Sequence, residues 1–138
     1  MNEFVDAAIF YCDALGVNHN KVMLYFTEDD DDVAGSCERF EDGTYLIRLL
    51  TVKLENEDEP LTILAHEIVH VWQYETGLLV DLEECRCLWK GKVYLDSACY
   101  LCPTLYMNAP WEQQAFALQN RLYQSYLRSL EECRTQKS

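Results

Sequence analysis

This chain is short of positive charge. It carries 11 Lys and Arg against 24 Asp and Glu over 138 residues, a formal net charge of −13. A surface of that sign repels phosphate backbones and anionic headgroups, so neither nucleic acid nor a membrane is expected as a partner. A membrane-spanning run is missing as well: no stretch approaches the ~18 consecutive apolar residues that one requires. The opening Met1-Asn2-Glu3-Phe4-Val5-Asp6 has no basic segment leading into an apolar one, as an export signal would. The expected location is therefore cytoplasmic. Internal repeats, low-complexity tracts and linkers are also lacking, and residues 1–138 read as a single domain.

Cysteine is not scarce. The seven are Cys12, Cys37, Cys85, Cys87, Cys99, Cys102 and Cys133, and an odd number with no export signal is expected to leave free thiols. Cys85-x-Cys87 with Cys99-x-x-Cys102 loosely matches a four-cysteine zinc site, but no glycine-rich knuckle follows Cys87. Buried or surface thiols are the preferred reading. The acidic run Glu28 to Asp32 has no spaced Asp-x-Asp-x-Asp-Gly loop, so it reads as a solvated loop rather than a calcium site. With 49% hydrophobic residues, the chain has the material for a core, and at this length it can bury roughly 68–70% of its unfolded surface.

Periodicity places the elements. Phe4, Ala7, Ala8, Tyr11 and Leu15 form a stripe that predicts a helix over 3–15, ended by Gly16. His19 falls in a turn-like Asn18-His19-Asn20 and reads as an exposed loop histidine. Residues 21–27, 33–40 and 44–50 read as strands, the last two joined by the hairpin signal Glu41-Asp42-Gly43. Residues 60–77 predict a helix with Pro60 in its first turn and Gly77 as its stop. The stretch 78–87 is mixed in character and allows a short helix around Asp81 to Arg86. Trp89 to Leu95 reads as a turn leading into a short strand, either a cleft wall or a surface connection anchored by Trp89. A long helix over 110–133 carries Trp111, Ala115, Leu118, Leu122 and Tyr126 on one stripe.

The chemistry concentrates in His66-Glu67-Ile68-Val69-His70. Four residues apart on a helix, the two imidazoles lie on one face and can meet at one point. Glu67 is one step round and can reach a water held there. Two imidazoles and a carboxylate in this order suit a zinc ion that polarises water, with Glu67 taking the proton. The bland alternative is an amphipathic helix with two surface histidines. The apolar stripe of that helix, Leu61, Leu64, Ala65, Ile68 and Trp72, leaves the histidines off its centre.

Such a site needs a third protein ligand and an open position. The pattern with a third His six residues on is absent, because Gln73 and Thr76 hold its Gly and His positions. A carboxylate or a cysteine must serve. The best candidate is Glu112 in Pro110-Trp111-Glu112; the alternative reading is a first-turn acid that merely complements the helix dipole. Tyr106 precedes this segment by a short step. It is either a packed aromatic or a phenol that donates a hydrogen bond to a tetrahedral oxyanion.

These residues resemble a known group. His66-Glu67-x-x-His70 with a Glu from a later helix is the pattern of the gluzincins, the thermolysin-like clan of zinc peptidases. Gln73 three residues after the second His, and the later Pro110-Trp111-Glu112-x-x-Ala115, look like short single-domain metallopeptidase-like proteins of bacteria and phages. In size the chain is similar to the minigluzincins. The resemblance covers the middle and last thirds of the chain. It implies an α+β zincin-like domain: a small sheet, an active-site helix and a long C-terminal helix. It further implies zinc held by His66, His70 and Glu112, with Glu67 as base and a peptide or protein as substrate. In such folds an edge strand beside the cleft binds the substrate backbone. One departure stands out. Phe116 occupies the place of a second acidic residue that orients a ligand histidine in thermolysin-like enzymes, so the support of the ligands is unassigned. The same residues would also fit a metal-binding accessory protein that kept the fold without hydrolytic activity.

Overall fold

A computed structural model describes residues 2–29, 33–55, 57–95 and 108–137. The architecture is α+β, with three helices and two small sheets among these residues. Helix α1 spans Asn2–Leu15. Gly16 adopts φ 75°, and Val17 N donates to Cys12 O at 2.8 Å, which closes the helix end as a left-handed cap does. A 3₁₀ turn at His19–Lys21 follows, with the Asn18 side chain accepting from Asn20 N.

The first sheet holds β1 (Val22–Thr27), β2 (Gly35–Arg39) and β3 (Tyr45–Leu50) in the order β1-β3-β2. β1 and β3 run parallel, while β2 pairs antiparallel with β3 through the expected hairpin. At its turn Asp42 accepts from both the backbone N and the hydroxyl of Thr44, and Gly43 takes φ 87°. β2 is thus an edge strand. Tyr45, Ile47 and Leu49 project from β3 to the helical side and are fully buried.

Helix α2 (Pro60–Glu75) lies between the first sheet, α1 and α3 (Pro110–Lys137). Leu61, Leu64, Ala65 and Ile68 of its apolar stripe are buried as expected and Trp72 is partly buried, but Thr62, His66, Glu67, His70 and Gln73 are buried too. Two surface histidines on an amphipathic helix are therefore not what the fold contains. Tyr11 reaches across from α1 and donates its hydroxyl to Leu61 O at 3.0 Å.

The second sheet corrects the expectation of a short helix around Asp81 to Arg86. β4 (Leu79–Asp81), β5 (Arg86–Trp89) and β6 (Lys92–Leu95) form an antiparallel meander. Leu82-Glu83-Glu84-Cys85-Arg86 has helix-forming composition but is too short to sustain one alone. Left-handed Glu84 and Cys85 turn the chain, and Leu79, Cys87 and Trp89 are buried with Ala109 and Trp111. The β5–β6 turn uses Lys90 and Gly91, both at positive φ, as a two-residue hairpin requires. Trp89 and Trp111 sit 6.4 Å apart, so Trp89 is the anchor of this segment.

Free thiols are present as expected at buried Cys12, half-buried Cys37 and exposed Cys133. Cys85 departs from that pattern: it is disulfide-bonded, which takes its sulfur out of reach of a four-cysteine metal site. Cys99, Cys102 and Tyr106 lie outside the described residues, as do three of the five acids in the 28–32 run. No helix among the described residues is long and apolar enough to cross a membrane.

Candidate metal centre

His66 and His70 lie one turn apart on α2, and their rings meet edge to face with centroids 4.9 Å apart. Glu112 enters from the first turn of α3, whose backbone begins with Glu112 N donating to Ala109 O at 3.0 Å. Its two oxygens divide between the two rings. Oε1 lies 2.9 Å from His66 Nε2, and Oε2 lies 3.3 Å from His70 Nε2. The exposures are 7%, 8% and 3% for His66, His70 and Glu112. One ligand atom from each of the three falls within 4.8 Å of the others, so this buried group could hold a metal ion.

Electrostatics follow from that crowding. Burial works against a charged His70, but the hydrogen bond and charge of Glu112 outweigh it and lift the imidazole to about 9. Burial alone would push Glu112 up, yet the hydrogen bonds from His66 and His70 hold it at about 2. Glu67, 9% exposed, is raised chiefly by burial, with His70 and His66 opposing and Glu112 adding. Three acceptor atoms facing one another in a dry site need positive charge between them, from protons or from a cation.

Each of the two imidazoles is held from behind by a glutamine. His66 Nδ1 lies 2.8 Å from Gln119 Oε1, and His70 Nδ1 lies 2.9 Å from Gln73 Oε1. Gln73 Nε2 donates to Trp111 O and to Gln114 Oε1, both at 2.9 Å. Gln119 Nε2 donates to Asp58 Oδ2 at 3.1 Å. Phe116, which stands where thermolysin-like enzymes carry a second acid, packs its ring at a tilt against His66 with centroids 4.7 Å apart. Compared with protein-family models, curated proteins and solved structures, the chain matches none.

The structure thus brings His66, His70 and Glu112 together and sets Glu67 beside them. No cysteine among the described residues joins the group. Cys37 instead faces Glu67 from β2, its thiol pushed up by burial. Tyr106 falls outside the described residues. Gln119, Gln73 and Asp58 were not singled out from the sequence as supports. The available signal was spacing: Gln119 is seven residues after Glu112, two helical turns along the same face.

The edge strand comes close to this group. A β-carbon built on Gly35 would stand 2.6 Å from Ile63 Cγ2 and 3.4 Å from Glu67 Oε2. Only a residue without a side chain lets β2 pass α2 at this distance.

Proposed function

We propose that this protein is a zinc-dependent peptidase with a zincin-like fold, binding Zn²⁺ through His66, His70 and Glu112. One observation carries this: Glu112, 46 residues downstream of His66, meets both imidazoles with Glu67 alongside. Two imidazoles and one carboxylate, with a vertex left for water, are the donor set of hydrolytic zinc sites. Bound there, zinc would supply the Lewis acidity that activates water and polarises the scissile carbonyl.

The chain's own residues supply the rest. Glu67 takes the proton of the attacking water and delivers it to the leaving amine. Its burial raises its proton affinity toward the range a general base needs. β2, an edge strand among the described residues, offers its outer side to an extended peptide, which adds as a further strand. Because Gly35 lets the strand approach α2, that peptide would run beside Glu67. The test is cleavage of a broad peptide library by zinc-loaded protein, with Glu67→Gln as control. No cleavage by the zinc-loaded wild type would remove the peptidase assignment.

The alternative is a metal-binding protein without hydrolytic activity, and the second sheet lends it support. Val80, Leu88 and Val93 are direct cross-strand neighbours, and Val80, Val93 and Leu95 are exposed. An apolar sheet face of this kind is a partner-binding feature. Stoichiometric metal with no cleavage of any peptide would favour it.

A further inference from the structure

We propose that Asp58 is a positioning residue for the metal centre, acting through the side-chain amide of Gln119. It selects which end of that amide faces His66, and so which imidazole nitrogen is left for the cation. The inference rests on the reading of His66, His70 and Glu112 as metal ligands.

An amide group has an accepting end and a donating end, and the two are nearly the same shape. What surrounds it decides which way it points. The Asp58 carboxylate only accepts when ionised, so the Gln119 NH₂ group turns toward it at 3.1 Å. That leaves Gln119 Oε1 against His66 Nδ1 at 2.8 Å. An amide oxygen only accepts, so Nδ1 must carry the hydrogen of this contact. With a cation bound, Nε2 then presents its lone pair to the space shared with His70 and Glu112, where it otherwise lies 2.9 Å from Glu112 Oε1.

The reversed amide has opposite consequences. Gln119 oxygen would oppose the Asp58 carboxylate, and its NH₂ group would need a lone pair on His66 Nδ1. The proton of a neutral ring would move to Nε2 and point into the cation position. Asp58 prevents this.

The two histidines are not secured alike. Gln73 is oriented by Trp111 O, a backbone carbonyl that cannot turn round. Gln119 is 4% exposed, but the carboxylate that orients it belongs to an exposed residue at the entrance to α2. His70 is thus held by the main chain of α3. His66 is held by one surface acid, and changing that acid leaves the core untouched.

The experiment compares zinc-loaded wild type, Asp58→Ala and Asp58→Asn. Zinc affinity is measured by competition with a chelator, and the imidazole Nδ1–H protons are followed by NMR. The wild type should show two slowly exchanging Nδ1–H signals, from His66 and His70. In Asp58→Ala the His66 signal should weaken or vanish while that of His70 persists, and zinc affinity should fall about tenfold or more. Asp58→Asn keeps an accepting oxygen and should recover part of both. Wild-type affinity and an unchanged His66 signal in Asp58→Ala would overturn the proposal, as would equal loss of both signals, which marks general distortion. A wild type that takes up no zinc would instead sink the metal-centre reading, and this inference with it.

Discussion

Gly35 of the edge strand runs against Glu67 of the central helix, 3.4 Å from its carboxylate oxygen as measured from a β-carbon position. The backbone of one element and the buried carboxylate of another are thereby held in register. Gly35→Ala puts a methyl group 2.6 Å from Ile63 Cγ2, the methyl of a β-branched side chain close to the helix backbone. Strand or helix must give way. We expect a loss of about 1–3 kcal/mol in denaturant unfolding, typical of overpacking, together with a drop in peptidase rate. Unchanged stability would show that the strand is not pinned to the helix.

Glu67→Gln keeps the shape of the side chain and removes its capacity to take a proton. Metal content should stay at the wild-type level, while peptide hydrolysis falls about 10²–10⁴-fold. Both are read on the same preparation, by elemental analysis and by turnover. Hydrolysis at the wild-type rate would remove Glu67 from the role of base.

Glu112→Ala deletes the carboxylate that both imidazoles share. Zinc affinity should fall by more than the about 10–100-fold that loss of an outer partner costs. Titration against a competing chelator measures it. Affinity equal to wild type would mean the cation, if any, is held elsewhere.

The metal-stripped protein should have a defined pH profile. His70, raised from 6.5 to about 9, contributes stability in full below 6.5 and loses it as pH rises through about 9. Glu112, held at about 2 against an ordinary 4.5, contributes above 4.5 and loses it as pH falls toward 2. The pair therefore helps most between 4.5 and 6.5. Zinc must displace the imidazole proton, so the stabilisation it adds should grow as pH rises from 6.5 toward 9. Thermal melts with chelator and with zinc across this interval decide the matter. A stripped protein that gains stability over the same rise would contradict the assignment.

Much of this architecture could be read from local chemistry. Asp42-Gly43 declares its own turn, and Pro60 and Gly77 bracket α2, because each acts on its immediate backbone. Glu112 could be nominated from its place in the first turn of a helix, but only packing brings α3 against α2. Two things were out of reach for a physical reason. The β4–β5 hairpin overrides helix-forming composition through the burial of Leu79, Cys87 and Trp89 against Trp111, a contact made with a distant part of the chain. The glutamines behind His66 and His70 matter only through the direction of their amides, and Trp111 O and Asp58 set those directions across the fold.

The helix that carries both histidines is enclosed on nearly every side. Its sequence therefore answers to two masters at once, since a substitution that retunes the His66–His70–Glu112 group also disturbs the centre of the molecule. Laboratory selection for altered specificity should find its tolerated changes on the free margin of β2 and in the β4–β6 meander, and leave residues 61–73 nearly untouched.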